Sequence, residues 1–253
     1  MIYSFRIGKP QKGWVVIVHG LGEHVGRYEK IVNDLVERNY GVIGFDHPGH
    51  GRSDGKRGDT SIEEIISVID NLTSDIPKFH LFGHSLGGLI ATRYAQERQD
   101  KIKSLVISAP ALGVKVDPVT NFIAKTFGKI LPSVTINNKL DPQYLSRNKK
   151  VIEKCMNDPL MHSKISFRLG LSMIENIKIA HEKAPDLKVP ILILVPTEDR
   201  YVDPNGAREF FKKLTHEDKK LVEFPGGYHE LFEDEEYKDD FYKNIYNWIE
   251  GHN

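Results

Sequence analysis

Gly83-His84-Ser85-Leu86-Gly87 stands directly between the apolar run His80-Leu81-Phe82 and a helical pattern that continues to about Arg98. Gly-x-Ser-x-Gly in that setting describes a sharp strand-to-helix turn. The glycines let the helix approach the strand closely, and the turn pushes the Ser85 hydroxyl out over the end of the sheet. Ser85 also opens a helix, whose first amides favour negative charge. The competing reading is a glycine-rich turn with an ordinary serine cap. The strand before the pentapeptide and the helix after it argue against that.

The flanking sequence repeats the same rhythm. Trp14-Val15-Val16-Ile17-Val18-His19 is a continuous, mostly β-branched run, as buried parallel strands are, and it ends in Gly20-Leu21-Gly22. A helix over about 27–39 puts Tyr28, Ile31, Val32 and Leu35 on one face. Gly41 to Phe45 is a second strand, followed by the loop Asp46-His47-Pro48-Gly49-His50-Gly51. Ser61 to Ser74 reads as a helix with Glu64 at capping-box distance from Ser61. Leu105 to Ser108 is a further strand. Strands alternating with helices predict an α/β fold, a mostly parallel central sheet with helices on both faces and ligands at the carboxyl ends of its strands.

The rhythm breaks after Pro110. From about Leu112 to Lys188 no clear strand is visible. Val119, Phe122, Ile123, Phe127, Ile130 and Leu131 share one helical face, and Ile165 to His181 is a second helical stretch. Strands resume at 190–195 and 221–224, with helices near 207–214 and 236–249. The organisation predicted is a core of residues 1–111 and 189–253, with 112–188 inserted as a helical cap over the strand ends.

Composition narrows the class. The 253 residues carry 35 Lys+Arg and 35 Asp+Glu, a formal charge of zero, which argues against a nucleic-acid binder. One cysteine, Cys155, leaves no intrachain disulfide and fits a reducing compartment. The N-terminus does not read as a signal peptide, and no uncharged run approaches the roughly 18–20 residues that cross a bilayer. The expectation is a soluble, cytoplasmic protein whose apolar cap face offers a peripheral contact with membrane or lipid aggregates, or a dimer interface.

A serine hydroxyl needs a base. His84 adjoins Ser85, but a neighbour in a tight turn points elsewhere. His229 follows the last strand in the glycine-containing loop Phe224-Pro225-Gly226-Gly227-Tyr228-His229 and is preferred. The orienting carboxylate is Asp199, just past strand 190–195, with Glu198 and Asp203 as rivals. The chain order Ser85, Asp199, His229 suits a strand–turn–helix nucleophile. Donors for a developing oxyanion are expected at the backbone N–H of Leu86 and of Leu21.

These residues carry a resemblance. The chain resembles the α/β-hydrolases and, more narrowly, the monoacylglycerol lipase family. Its His-Gly-x-Gly-Glu-His-x-Gly-Arg-Tyr stretch stands here at residues 19–28, and its Asp-His-x-Gly-His-Gly-x-Ser stretch at 46–53. The elbow at 83–88, Leu145-Ser146-Arg147-Asn148, Asn157-Asp158-Pro159-Leu160 and Tyr228-His229 also match. The resemblance implies hydrolysis of monoacylglycerols to glycerol and fatty acid through an acyl-enzyme, with Ser85, Asp199 and His229 as the triad and no metal or cofactor. It implies glycerol contacts at Glu23 and Arg27, against the competing reading of an internal Glu23–Arg27 pair that braces the loop. Phe122, Ile123 and Phe127 are expected at the acyl chain. His50 and Ser53 are expected to brace their loop. Where the family has a polar residue shortly after the histidine, Leu231-Phe232 stands here, so head-group contacts should differ. Lysophospholipase, general carboxylesterase and acyltransferase activities share this chemistry. A non-catalytic binding protein on the same scaffold would have no need of the triad.

Overall fold

The computed structural model describes residues 1–113, 126–128 and 130–253. Phe122 and Ile123 lie outside the described residues. The strands are Ser4–Ile7 (β1), Trp14–Val18 (β2), Gly41–Phe45 (β3), Phe79–His84 (β4), Ile102–Ser108 (β5), Thr135–Asn137 (β6), Lys164–Ser166 (β7), Ile191–Pro196 (β8) and Lys219–Phe224 (β9). The helices that matter below are Glu29–Glu37 (α1), Ile62–Leu72 (α2), Leu86–Glu97 (α3), Lys149–Met156 (α4), Phe167–Glu182 (α5), Pro204–Lys213 (α6) and Lys238–Gly251 (α7).

Seven strands form one sheet in the order β1-β3-β2-β4-β5-β8-β9. All neighbours are parallel except the antiparallel edge pair β1 and β3. Continuous apolar runs make this possible. Val15 and Ile17 face one side of the sheet with α1 and α7, while Val16 and Val18 face the other with α2, α3 and α6. The chain leaves β2 for β3 on one side and returns to β4 on the other. The carboxyl ends of β2 and β4 therefore flank the point where strand order reverses, the usual place for a ligand crevice. Val18 pairs with Gly83, which sets the 19–22 loop beside Ser85.

Residues between β5 and β8 are not purely helical. The three-residue strands β6 and β7 pair antiparallel as a separate ribbon, which corrects the expectation of no strand there. The helix α5 packs on α2 and α3, with Leu169 and Ala180 buried in the main core. Arg93 of α3 donates to Asn176 of α5 (2.9 Å), and Asn176 donates to Glu63 of α2 (2.7 Å). The residues between β5 and β8 are tied to the loop after β2 by His162 N–H to the Gly22 carbonyl (2.8 Å) and by a His24–Asp158 pair (2.9 Å). Among the described residues, no helix is long and apolar enough to cross a membrane.

Candidate active site

Ser85 sits at φ 55°, ψ −119°, a backbone conformation that L-residues rarely adopt. Hydrogen bonds hold it there. Its N–H donates to the Ser108 carbonyl (3.0 Å), and its carbonyl accepts from Gly88, Leu89 and Ala111. A Cβ on Gly83 would collide with the Gly87 carbonyl, and one on Gly87 with the carbonyls of Val18 and His19. Only glycine fits this crossing of helix and strand. Ser85 occupies the N-cap position of α3, yet its side chain makes no capping hydrogen bond. The ordinary-cap reading therefore fails, and the hydroxyl faces the pocket at the strand ends.

Two other strand ends bring the partners. His229 Nδ1 lies 2.6 Å from Asp199 Oδ2, in a pair almost wholly buried. Asp199 Oδ1 accepts from the N–H groups of Tyr201 (2.8 Å) and Val202 (3.1 Å), so both carboxylate oxygens are occupied and the group is fixed. Neither rival pairs with His229. Asp203 caps α6 through Asn205 N–H, and Glu198 is exposed. His84 packs beneath His229 with ring centroids 4.8 Å apart, and its Nδ1 lies within 3.5 Å of Ser108 Oγ.

Electrostatics separate these rings. Burial pushes His84 well below the usual histidine range, aided by repulsion from His229. Burial also works to lower His229, but the charge and hydrogen bond of Asp199, with Glu230 and Glu23 behind them, outweigh it and raise its pKa.

The 19–28 loop completes the site. Gly20 N–H donates to Glu23 Oε1, which also accepts from the Tyr28 hydroxyl (2.7 Å). Glu23 Oε2 accepts from Arg27 (3.0 Å). The internal Glu23–Arg27 pair therefore exists, and both residues nonetheless line the pocket. Leu21 lies in the loop beside Ser85, and Leu86 is the first residue of α3. Among the described residues neither backbone amide has an acceptor. Below the loop, His19 and His47 stack 3.7 Å apart, with His47 N–H donating to His19 Nε2 (2.9 Å). Ser53 Oγ donates to the Asp46 carbonyl (2.6 Å), and His50 Nδ1 lies 3.1 Å from the Pro48 carbonyl.

Glu230 is a site residue that the sequence does not single out. Its carboxylate takes both terminal nitrogens of Arg27, Nη1 on Oε1 and Nη2 on Oε2 (2.7 Å), and it lines the pocket. The sequence held one signal, an acid directly after the candidate base, but the pairing spans 203 positions and no local pattern announces it. Leu140, Leu145 and Met161, between β5 and β8, and Tyr201 also line the pocket, and Glu230 N–H donates to the Leu145 carbonyl. Phe127 is 37% exposed, stands against Phe167 and is not among the side chains around this pocket. Cys155 is buried near the same acids, and burial pushes its thiol up to about 12.

Comparison with known proteins shows the family. The hydrolase family described as serine aminopeptidase, S33, matches residues 9–236. A monoacylglycerol lipase of Mycolicibacterium smegmatis is 32% identical over 254 residues, covering 95% of this chain and 89% of that protein. Phospholipase YtpA of Bacillus subtilis is 33% identical over 237 residues, covering 90% and 91%. The chain spans only 26% of an uncharacterized abhydrolase domain-containing protein of Dictyostelium discoideum, at 31% identity. The crystal structure of Paleococcus ferrophilus monoacylglycerol lipase superposes with a TM-score of 0.97 at 45% identity, covering 100% of both chains. The chain belongs to the monoacylglycerol lipase family of α/β-hydrolases and is a serine ester hydrolase.

Proposed function

We propose that the chain cleaves the ester bond of monoacylglycerols, releasing glycerol and a free fatty acid through an acyl-enzyme on Ser85. The observation that carries this reading is the strained Ser85, free of any capping bond, in one pocket with the buried His229–Asp199 pair. Neutral His229 keeps its proton on Nδ1, hydrogen-bonded to Asp199, which leaves Nε2 free to take the Ser85 proton as Oγ attacks the ester carbonyl. Asp199 then stabilises the imidazolium. The N–H groups of Leu21 and Leu86 hold the oxyanion. Glycerol departs with the proton held on His229. Water, deprotonated by the same ring, cleaves the acyl-Ser85 ester and frees the acid and the serine.

The head end lies against Glu23, Arg27 and Glu230, and the acyl chain runs past Leu140, Leu145 and Met161 under the 112–188 cap. Each buried CH₂ of that chain contributes about 0.8 kcal/mol. Ile130 and Leu131, 67% and 47% exposed, support a peripheral contact of the cap with lipid aggregates.

The test is a set of initial rates on 1- and 2-monoacylglycerols, a lysophospholipid and a p-nitrophenyl ester, for wild type and Ser85→Ala. Monoacylglycerols should win by more than about tenfold, a 1.4 kcal/mol preference in the transition state. The likeness to phospholipase YtpA makes lysophospholipid hydrolysis the competing reading, and a faster lysophospholipid rate would establish it.

A further inference from the structure

We propose that Glu230 is a specificity-determining residue: together with Glu23 it more than cancels the charge of Arg27, so the pocket accepts neutral leaving alcohols and rejects anionic ones. The proposal rests on reading this pocket as the leaving-group end of the site.

An unpaired arginine beside a nucleophilic serine would be an anion site, because its planar fork matches phosphate and carboxylate. Here that fork is already filled. Both terminal nitrogens of Arg27 donate to Glu230, and Nη1 also donates to Glu23. One guanidinium thus faces two carboxylates. Asp199, behind the His229 ring, adds a third acid at slightly greater depth. Among the described residues that line the pocket, Arg27 is the one fixed cation. Side-chain exposures of 8% for Arg27, 5% for Glu23 and 1% for Glu230 leave little room for screening by salt.

An arriving phosphate or carboxylate would have to break a two-bond ion pair inside the protein and would still meet excess negative charge. A hydroxyl meets neither obstacle. It can donate to the remaining lone pairs of the same carboxylates. The excess acid therefore acts as a filter against the wrong leaving group as well as a contact for the right one.

The test uses two esters of one fatty acid, with ethylene glycol and with glycolic acid, which present a neutral and an anionic leaving group of similar size. Wild type should show kcat/KM for the glycolate ester lower by about 30-fold or more, as expected for buried like charges. Glu230→Gln should narrow that gap by about tenfold, and adding Arg27→Gln should widen it again, because net negative charge returns. Should Glu230→Gln fail to fold, Glu23→Gln removes the other carboxylate and should narrow the gap likewise. Equal rates of wild type on the two esters, or a gap unchanged in the folded variants, would overturn the proposal. The monoacylglycerol reading fails separately, if wild type treats monoacylglycerols no better than p-nitrophenyl butyrate, because the charge ratio is read on esters without glycerol.

Discussion

Asp199 presents one carboxylate oxygen to His229 Nδ1 at 2.6 Å and the other to two backbone amides, so the acid holds the imidazole from a fixed seat. Asp199→Asn keeps the shape but favours the wrong tautomer of the ring. By analogy with the serine proteases, the expected loss in kcat is about 10⁴-fold with the fold intact. Steady-state kinetics and circular dichroism check this together.

With His229 as the proposed base, its raised pKa sets the acid limb of activity. The base works only when neutral, so kcat/KM should fall as pH drops through a value above 6.5. Glu230 is one of the charges that raise it. Glu230→Gln should therefore move the acid limb of the pH–rate profile downward, and an unmoved limb would contradict that electrostatic account.

Stability should follow the opposite histidines. Burial lowers His19, His47, His50 and His84 well below 6.5, and His80 and His162 to about 4. The unfolded chain binds more protons than the folded one between those values and 6.5, so stability is full above pH 6.5 and declines toward pH 4. His229 contributes the reverse, since its raised pKa adds stability below pH 6.5 that is lost as pH rises. Among the histidines, the lowered ones outnumber His229, and His216 is lowered as well. The urea midpoint should be lower at pH 5 than at pH 7.5.

The elbow tolerates no side chain at its crossing. Gly87→Ala would drive a methyl into the Val18 and His19 carbonyls, which are backbone and have nowhere to move. The expected destabilisation is about 2 kcal/mol or more, with loss of activity as Ser85 shifts. Denaturant unfolding measures the first and turnover the second.

Sequence and structure agree most closely where physics is local. Buried parallel strands such as β2 and β3 are runs of apolar residues covered on both faces, and the elbow needs glycines within one turn, so both show in a short window. The ribbon of β6 and β7 does not. Each strand is three residues long with one large apolar side chain, Ile136 or Ile165, and its partner is distant in sequence. The helix α6 starts at Pro204, whereas its apolar pattern points to about 207. Asp203, a rival for the catalytic acid by sequence, is followed by Pro204 and forms a helix cap and first turn. In the candidate site, Ser85, Asp199 and His229 each follow a strand, so their positions are legible in the sequence. Glu230 gains its meaning only from Arg27, across the whole fold.

The central claim is an acyl-enzyme on Ser85 formed from a monoacylglycerol. The direct measurement is acid quenching during turnover of a monoacylglycerol, followed by peptide mass spectrometry. The account predicts the mass of the fatty acyl group on the peptide containing Ser85, absent in Ser85→Ala. Acyl label on another residue, or continued turnover by Ser85→Ala, would contradict it.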